Sequence, residues 1–142
     1  MSKVDKVCPV VFRDPSMRQI LAFEHPLEGA QLVKGGIERG ESLRAAALRE
    51  LEEESGITDA GIAEDLGIWD SGYHGHVWSL QLCTVPRRLP DSWTHHCADD
   101  GGQDFRFFWH DLHVKPGTNW QEHYRRALEA IWDRTRALRG RG

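Results

Sequence analysis

The residues with the clearest chemical potential are three glutamates, Glu50, Glu53 and Glu54, in a segment rich in strong helix formers. Residues three and four apart share a helix face, so these carboxylates lie within an arc of roughly 100°. Hard divalent cations prefer carboxylate oxygens, so this cluster suits Mg²⁺ or Mn²⁺ better than Zn²⁺. The alternative is a solvated acidic face, because exposed like charges at these spacings cost only about a few tenths of a kcal/mol per pair.

The residues before the glutamates extend the pattern. Gly35 is followed by Glu41 and then by Arg49, and residues 35–57 read GGIERGESLRAAALRELEEESGI. This segment fills every specified position of G-x5-E-x7-R-E-U-x-E-E-x-G-U, where U is a bulky aliphatic residue. Glu41 and Arg49 are well placed to pair, which would brace the loop against the helix. Residues 38–54 carry six acids against three arginines, so a pyrophosphate would be repelled unless bound cations reversed the local charge.

This segment resembles the signature box of the Nudix hydrolases. The resemblance implies attack of water on a phosphorus of a nucleoside diphosphate linked to a group X, with Mg²⁺ or Mn²⁺ as cofactor. The metal ligands it implies are Glu50, Glu53, Glu54 and the backbone carbonyl of Lys34. The residues it implies as a structural ion pair are Arg49 and Glu41.

The general base varies within the family, being either a box glutamate or an acidic residue in a later loop. The polar segment 86–104 is too long for an ordinary turn, which indicates a functional or mobile loop. Many relatives carry glutamates just before the following strand, where this chain has Asp99, Asp100, Asp104 and the non-basic Gln103. The base is therefore open, and an Asp-Asp-Gly-Gly run is most often only a turn.

Candidates for binding substrate are Lys34, Tyr73, Trp93 and Asp100. Within the family, a proline about 16 positions beyond the box resembles the ADP-ribose group, and a tyrosine slightly further on resembles the diadenosine polyphosphate group. This chain has Gly72 and Tyr73 there, which favours dinucleoside polyphosphates or nucleoside triphosphates over ADP-ribose. The alternative is a Gly-rich turn in which the tyrosine only packs its ring. Trp93, in the polar loop, is the candidate for stacking on a nucleobase.

The eight histidines raise a zinc alternative. His74-x-His76 and His95-His96-Cys97 both lack the paired spacing of a structural zinc site, so zinc is not expected. His95 or His96 could instead bind a phosphate or carry a proton, although a solvated loop histidine is the simpler interpretation.

The elements that must position these residues follow from periodicity and from turn residues. Ser42 suits the N-cap of a helix over residues 43–55, and Gly56 suits its left-handed C-terminal position. Apolar residues at helical spacing predict a second, amphipathic helix over 119–138. The predicted strands cover residues 7–13, 19–24, 31–34, 63–69, 77–85 and 105–109. This order indicates an α/β fold with a mixed sheet, and the resemblance implies a Nudix-like α/β/α sandwich.

The composition of the chain argues against several classes of protein. The 142 residues suit a single domain over 1–142, and 39% hydrophobic with 28% charged residues is ordinary globular usage. No stretch approaches the ~18 apolar residues of a membrane span. The net charge of -4 argues against nucleic acid as a partner. Three cysteines without CxxC spacing and no expected signal peptide point to the cytoplasm.

Two functions of different classes remain after this reading. The first is a metal-dependent pyrophosphohydrolase whose partner is a small-molecule nucleotide or nucleotide derivative. The second is a catalytically silent Nudix-like module that binds a nucleotide or a protein, against which the intact glutamates argue. The oligomeric state stays open, with a homodimer as one alternative.

Overall fold

A computed structural model describes residues 3–140, apart from the side chain of Asp100. The elements in chain order are β1 (Lys6–Val11), β2 (Gln19–His25), β3 (Gly29–Gln31), α1 (Leu43–Ser55), β4 (Gly61–Asp70), β5 (Val77–Thr84), β6 (Trp93–Cys97), β7 (Gln103–Asp111), α2 (Glu122–Arg134) and α3 (Arg136–Arg139). A 3₁₀ turn covers Asp99–Gly101.

The strands form two sheets. The first has the order β1-β5-β4, with β1 parallel and β4 antiparallel to β5. The second has the order β3-β2-β7-β6 and is antiparallel throughout. The mixed sheet that the sequence predicts is therefore only the first of two, and an isolated bridge between Phe12 and Ile20 connects β1 with β2.

Side-chain alternation along the strands builds a core on each face of this layer. One cluster joins the strands to α2 and contains Cys8, Val10, Ile20, Ala22, Leu80, Leu82, Tyr124, Leu128 and Ile131. The other joins them to α1 and contains Val11, Leu21, Phe23, Cys83, Phe107 and Leu51. The two helices thus cover opposite faces, which is the predicted α/β/α sandwich.

The helix predicted over 43–55 is confirmed, including both caps. Ser42 Oγ accepts a hydrogen bond from the Ala45 N–H at 3.1 Å. Gly56 has φ 81° and donates its N–H to the Glu52 carbonyl at 2.9 Å. Because a left-handed residue ends the ladder here, the helix stops directly after its glutamates.

Most predicted strands are shifted by one or two residues at their ends, and three elements differ more than that. The segment 86–104, expected to be a loop, contains β6, since polar Thr94 and His96 alternate with the more buried residues of an edge strand. The strand predicted over 31–34 lies earlier, at β3. The helix predicted over 119–138 breaks at Thr135, whose hydroxyl donates to the Ile131 carbonyl at 2.8 Å. Within residues 3–140, no helix is long and apolar enough to cross a membrane.

Candidate active site

Helix α1 is fixed by an apolar face of small residues and one leucine. Ala46, Ala47 and Leu51 are fully buried, and the two alanines pack against Val7 of β1. Truncation of a buried leucine such as Leu51 typically costs about 2–5 kcal/mol. The alanines bring the helix close to the strand layer, so the adjoining helix face, which carries Glu50, lies against the loop after β3.

Gly35 makes that close approach possible. A Cβ atom added to Gly35 would lie 1.9 Å from Cδ of Glu50 and 2.1 Å from its Oε2, far inside van der Waals contact. The Glu50 carboxylate therefore occupies the space that any other side chain at position 35 would fill. Only 8% of Glu50 is exposed. The first glycine of the sequence pattern is thus required by the first glutamate of the triad.

Arg49 organises the loop and the acidic face together. It forms a two-pronged pair with Glu41, with Nε 2.8 Å from Oε2 and Nη2 2.9 Å from Oε1, so the expected ion pair is present. Nη2 also donates to the Gly36 carbonyl at 2.9 Å. Nη1 donates to Glu50 Oε1 at 2.8 Å and to Glu53 Oε2 at 3.3 Å. One guanidinium thus ties residues 36–41 to the helix.

A cleft of about 520 Å³ opens beside α1. The predicted site residues that line it are Lys34, Glu50, Glu54, Tyr73 and Asp99. The Lys34 ammonium lies 5.9 Å from the Tyr73 ring centre, 5.0 Å from that of Trp78 and 5.3 Å from that of Tyr124. The cleft therefore holds carboxylates, a cation and aromatic rings in one volume.

Burial shapes the charges in the cleft. Desolvation, followed by the Glu50 charge, raises the pKa of Glu54 well above its usual value, although a backbone hydrogen bond from Lys34 opposes this. Desolvation also raises the pKa of Glu50, against the Arg49 hydrogen bond. Desolvation lowers the pKa of Lys34. A bound cation would relieve the cost of ionising the two carboxylates, because opposite charge favours the ionised form.

The donor set fits Mg²⁺ or Mn²⁺. Within residues 3–140, no three His, Cys, Asp or Glu side chains are already gathered closely enough to hold a metal ion. Arg49 holds one oxygen each of Glu50 and Glu53, and their other oxygens, Glu50 Oε2 and Glu53 Oε1, accept no hydrogen bond from the described residues. The cradle at Gly35 and these free carboxylate oxygens suit a hard cation that keeps several waters.

The remaining predicted residues lie in different places. Trp93 does not reach the cleft, because its indole stacks on Phe107 at 5.1 Å and donates Nε1–H to the Ser55 carbonyl at 2.9 Å. Asp104 pairs with His96 at 2.7 Å on the surface. The Asp100 side chain lies outside the described part of the structure. Gln103 begins β7.

Several residues of the cleft were not found by sequence reasoning. They include His25, Gln31, Phe105, Gln121, His123 and Tyr124. His123 and Tyr124 could have been suspected, since both lie on the buried side of the amphipathic helix and one of them is polar. His25 and Phe105 carry no such signal, because their strands become neighbours of the box loop only in the folded chain.

Comparison with known proteins shows the family of the chain. A family model described as a NUDIX domain matches residues 5–130. No curated protein sequence matches the chain.

Solved structures share the fold at low sequence identity. A UDP-X diphosphatase superposes with a TM-score of 0.67 at 18% identity, over 96% of this chain and 65% of that one, so this chain spans a little under two thirds of that protein. An ADP-ribose pyrophosphatase from Streptococcus suis gives 0.65 at 16% identity, over 92% and 90% of the two chains. The E. coli ORF135 protein gives 0.62 at 24% identity, over 96% and 94%.

Proposed function

Because this chain belongs to the NUDIX domain family, whose model spans residues 5–130, we propose that it hydrolyses a pyrophosphate bond in a nucleoside diphosphate linked to a group X. The family places the chain among hydrolases that act on phosphoric anhydrides. The proposal rests on one observation: Glu50 and Glu54 of α1 share a 520 Å³ cleft with Lys34 and Tyr73. Carboxylates to hold a cation, an ammonium for a phosphate and an aromatic ring for a nucleoside are the groups this reaction needs.

Each of the predicted site residues discussed below has a defined role in this proposal. Glu50, Glu53 and Glu54 would hold Mg²⁺ or Mn²⁺, with the Lys34 carbonyl as a further ligand. When bound, the cation supplies charge neutralisation at the phosphoryl oxygens and lowers the pKa of the attacking water. The Lys34 ammonium, held among three rings, attracts the phosphate oxygens as a point charge. The Arg49–Glu41 pair, with the bond from Arg49 to the Gly36 carbonyl, fixes the glycine loop relative to the helix that carries the glutamates.

The proton acceptor for the attacking water is assigned to the carboxylates that line the cleft. Among the box glutamates and the later acidic residues, Glu50, Glu54 and Asp99 line the cleft. Glu50 already accepts a hydrogen bond from Arg49, which leaves Glu54 and Asp99 as the candidates. Asp104 is engaged with His96 on the surface, which disfavours it. Glu54→Gln and Asp99→Asn distinguish the two, because the true base should lose its limb of the pH–rate profile.

The substrate is proposed to be a dinucleoside polyphosphate or a nucleoside triphosphate. Tyr73 supports this, since it lies in the cleft within reach of Lys34. Two proteins of the same fold are a UDP-X diphosphatase and an ADP-ribose pyrophosphatase, which supports the wider class of nucleoside diphosphates linked to X.

The deciding experiment is phosphate-fragment release from a nucleotide panel with Mg²⁺, with Mn²⁺ and with EDTA. The panel contains diadenosine tetraphosphate, a nucleoside triphosphate, a UDP-sugar and ADP-ribose. Metal-dependent release of two phosphorylated fragments is expected. Binding of these nucleotides without any release would identify a silent module instead, and a preference for ADP-ribose would leave the reaction class standing but overturn the substrate.

A further inference from the structure

His123 is a buried polar side chain that faces the cleft and makes no hydrogen bond to the described residues. It lies at the start of α2 and is 7% exposed, and it lines the cleft with Lys34 and Tyr73. Neither ring nitrogen makes a hydrogen bond within residues 3–140. Among the described residues, Gln81 Oε1 is the only side-chain polar atom that is both fully buried and without a hydrogen bond. The unpaired His123 nitrogens are therefore not fully buried, and because His123 lines the cleft, a ligand there can reach them.

The surroundings of His123 keep its imidazole neutral. Desolvation, the Lys34 charge and the Arg126 charge lower the pKa of His123 to about 4. A neutral imidazole presents one N–H donor and one nitrogen acceptor, and carries no charge for a phosphate. Either nitrogen can therefore form one hydrogen bond with the edge of a heteroaromatic base, as donor or as acceptor.

His123 and Tyr73 form an aromatic corner. Their ring centres are 3.9 Å apart and their planes meet at 62°. The two rings are in direct edge-to-face contact, so a planar group that stacks on the open part of the Tyr73 ring would lie beside the His123 ring. The Lys34 ammonium lies 5.9 Å from the Tyr73 ring, and its positive charge acts on Glu54. Lys34 thus connects the acidic face to this corner, in the order in which phosphate and base follow each other in a nucleotide.

Arg126 fixes the other side of the corner. Arg126 lies one helical turn after His123 on α2. Its Nη2 donates a hydrogen bond to the Ser71 carbonyl at 2.5 Å. Ser71 Oγ in turn donates to the His76 carbonyl at 2.7 Å and accepts from the Tyr73 N–H at 3.1 Å. The turn that carries Tyr73 is therefore held to the helix that carries His123, which fixes the position of the turn relative to the helix.

We propose that the corner of Tyr73 and His123 is the nucleobase-recognition site of this enzyme, with Tyr73 as the stacking surface and His123 as the residue that selects the base by hydrogen bonding. This inference rests on the proposed function and adds a specificity residue to it. A site built to hydrogen-bond a ligand edge discriminates strongly, because the wrong edge leaves buried polar groups unpaired.

The test varies the base while X stays constant. We would measure kcat/KM for ADP-, GDP-, CDP- and UDP-glucose, and calorimetric Kd values for AMP, GMP, CMP and UMP. Wild type should prefer one base by about tenfold or more. His123→Phe, which keeps the ring and removes the nitrogens, should reduce that ratio toward one, and His123→Gln should retain part of it. His76→Phe, on the same turn but outside the cleft, is the matched control and should leave the ratio unchanged.

Two results would overturn the proposal. They are a wild type indifferent to the base, and a ratio between bases that is unchanged in His123→Phe, including an equal loss for all four bases. If no glucose compound is cleaved, the nucleotide panel described above decides the proposed hydrolysis, and the mononucleotide Kd values decide the role of the corner. The same base preference, lost in His123→Phe, would support that role, and the absence of a preference would contradict it. If His123→Phe does not fold, the His123→Gln series decides on the same criteria.

Discussion

At Glu54 the requirements of function and stability oppose each other. Burial and the Glu50 charge raise the pKa of its carboxyl, so ionised Glu54 destabilises the metal-free protein. Because the folded-state pKa lies above the ordinary glutamate pKa of 4.5, this group favours folding below that pH, and its contribution is lost as pH rises through the folded-state pKa. Glu54 is thus maintained against a stability cost, which is typical of a functional side chain.

Glu54→Gln should therefore be inactive and yet more stable without metal. We expect kcat to fall at least roughly 100-fold, since even the partners behind a metal ligand are worth about 10–100-fold. In EDTA its Tm should exceed that of wild type at pH 8 and the difference should shrink toward pH 4. Melting curves across this pH range with a turnover assay check both parts. Glu52→Gln, on the exposed side of α1, is the control. Near-native turnover would show that this helix face is not the metal site.

Tyr73→Ala should weaken substrate binding more than chemistry. Aromatic stacking is worth about 1–3 kcal/mol per base, which corresponds to roughly 5–150-fold in affinity. We expect kcat/KM for diadenosine tetraphosphate and for a nucleoside triphosphate to fall by at least about tenfold, with the change mostly in KM. Tyr73→Phe keeps the ring and should retain most of the activity. If kcat/KM for diadenosine tetraphosphate, the triphosphate and ADP-ribose is unchanged in Tyr73→Ala, the Tyr73 ring has only a packing role.

At the scale of elements, the junction between α1 and its preceding loop depends on Arg49. Hydrogen bonds to the Glu41 side chain, with a smaller contribution from the Arg49 charge, lower the pKa of Glu41 to about 2. The resulting contribution to folding stability is present above the ordinary glutamate pKa of 4.5 and is lost as pH falls toward 2.

Arg49→Met should lower both stability and rate. Loss of charge-assisted hydrogen bonds lowers the free energy of unfolding, by less where solvent reaches the pair. We expect a Tm drop of several degrees at pH 7 that narrows below pH 4, measured by calorimetry between pH 2 and pH 8. Arg49→Lys should recover little, because an ammonium cannot form the planar fork. A Tm equal to wild type would contradict a bracing role for the Glu41 pair.

The turn over residues 71–76 depends on α2 in a comparable way. Arg126→Met should release this turn without unfolding the sandwich, because the carbonyl of Ser71 loses its donor. Amide hydrogen exchange at residues 72–76 should become faster while the exchange of β5 stays unchanged. Arg125→Met is the matched control, since Arg125 donates to the Gly117 and Trp120 carbonyls instead. Unaltered exchange in the turn would show that Arg126 does not hold it.

At the scale of the whole molecule, metal binding should stabilise the fold. A cation that binds only the folded state adds RT ln(1 + [L]/Kd), about 2.7 kcal/mol at a hundred times Kd. For a domain of this size that corresponds to roughly 5–10 °C in Tm. Millimolar Mg²⁺ or Mn²⁺ should produce this shift in wild type, and a triple variant with glutamine at Glu50, Glu53 and Glu54 should not respond. An equal shift in both would place the metal elsewhere.

The local elements were determined by the sequence. Helix α1 was predictable to the residue, since Ser42 and Gly56 cap it through bonds that reach only three or four positions. The pairing of Glu41 with Arg49 was also predictable, because both belong to one compact pattern. Interactions of this kind depend on short spacings along the chain, and residue type alone constrains them.

Only the tertiary structure decided what faces the glutamates. Tyr73 and His123 are far apart in the chain, and they meet because the β4–β5 turn and α2 pack at the same end of the sandwich. Trp93 was a reasonable stacking candidate as a loop residue, but β6 pairs with β7 and turns its indole onto Phe107. Side-chain direction in an edge strand depends on its register with a neighbour, and that register is set by long-range pairing rather than by local sequence.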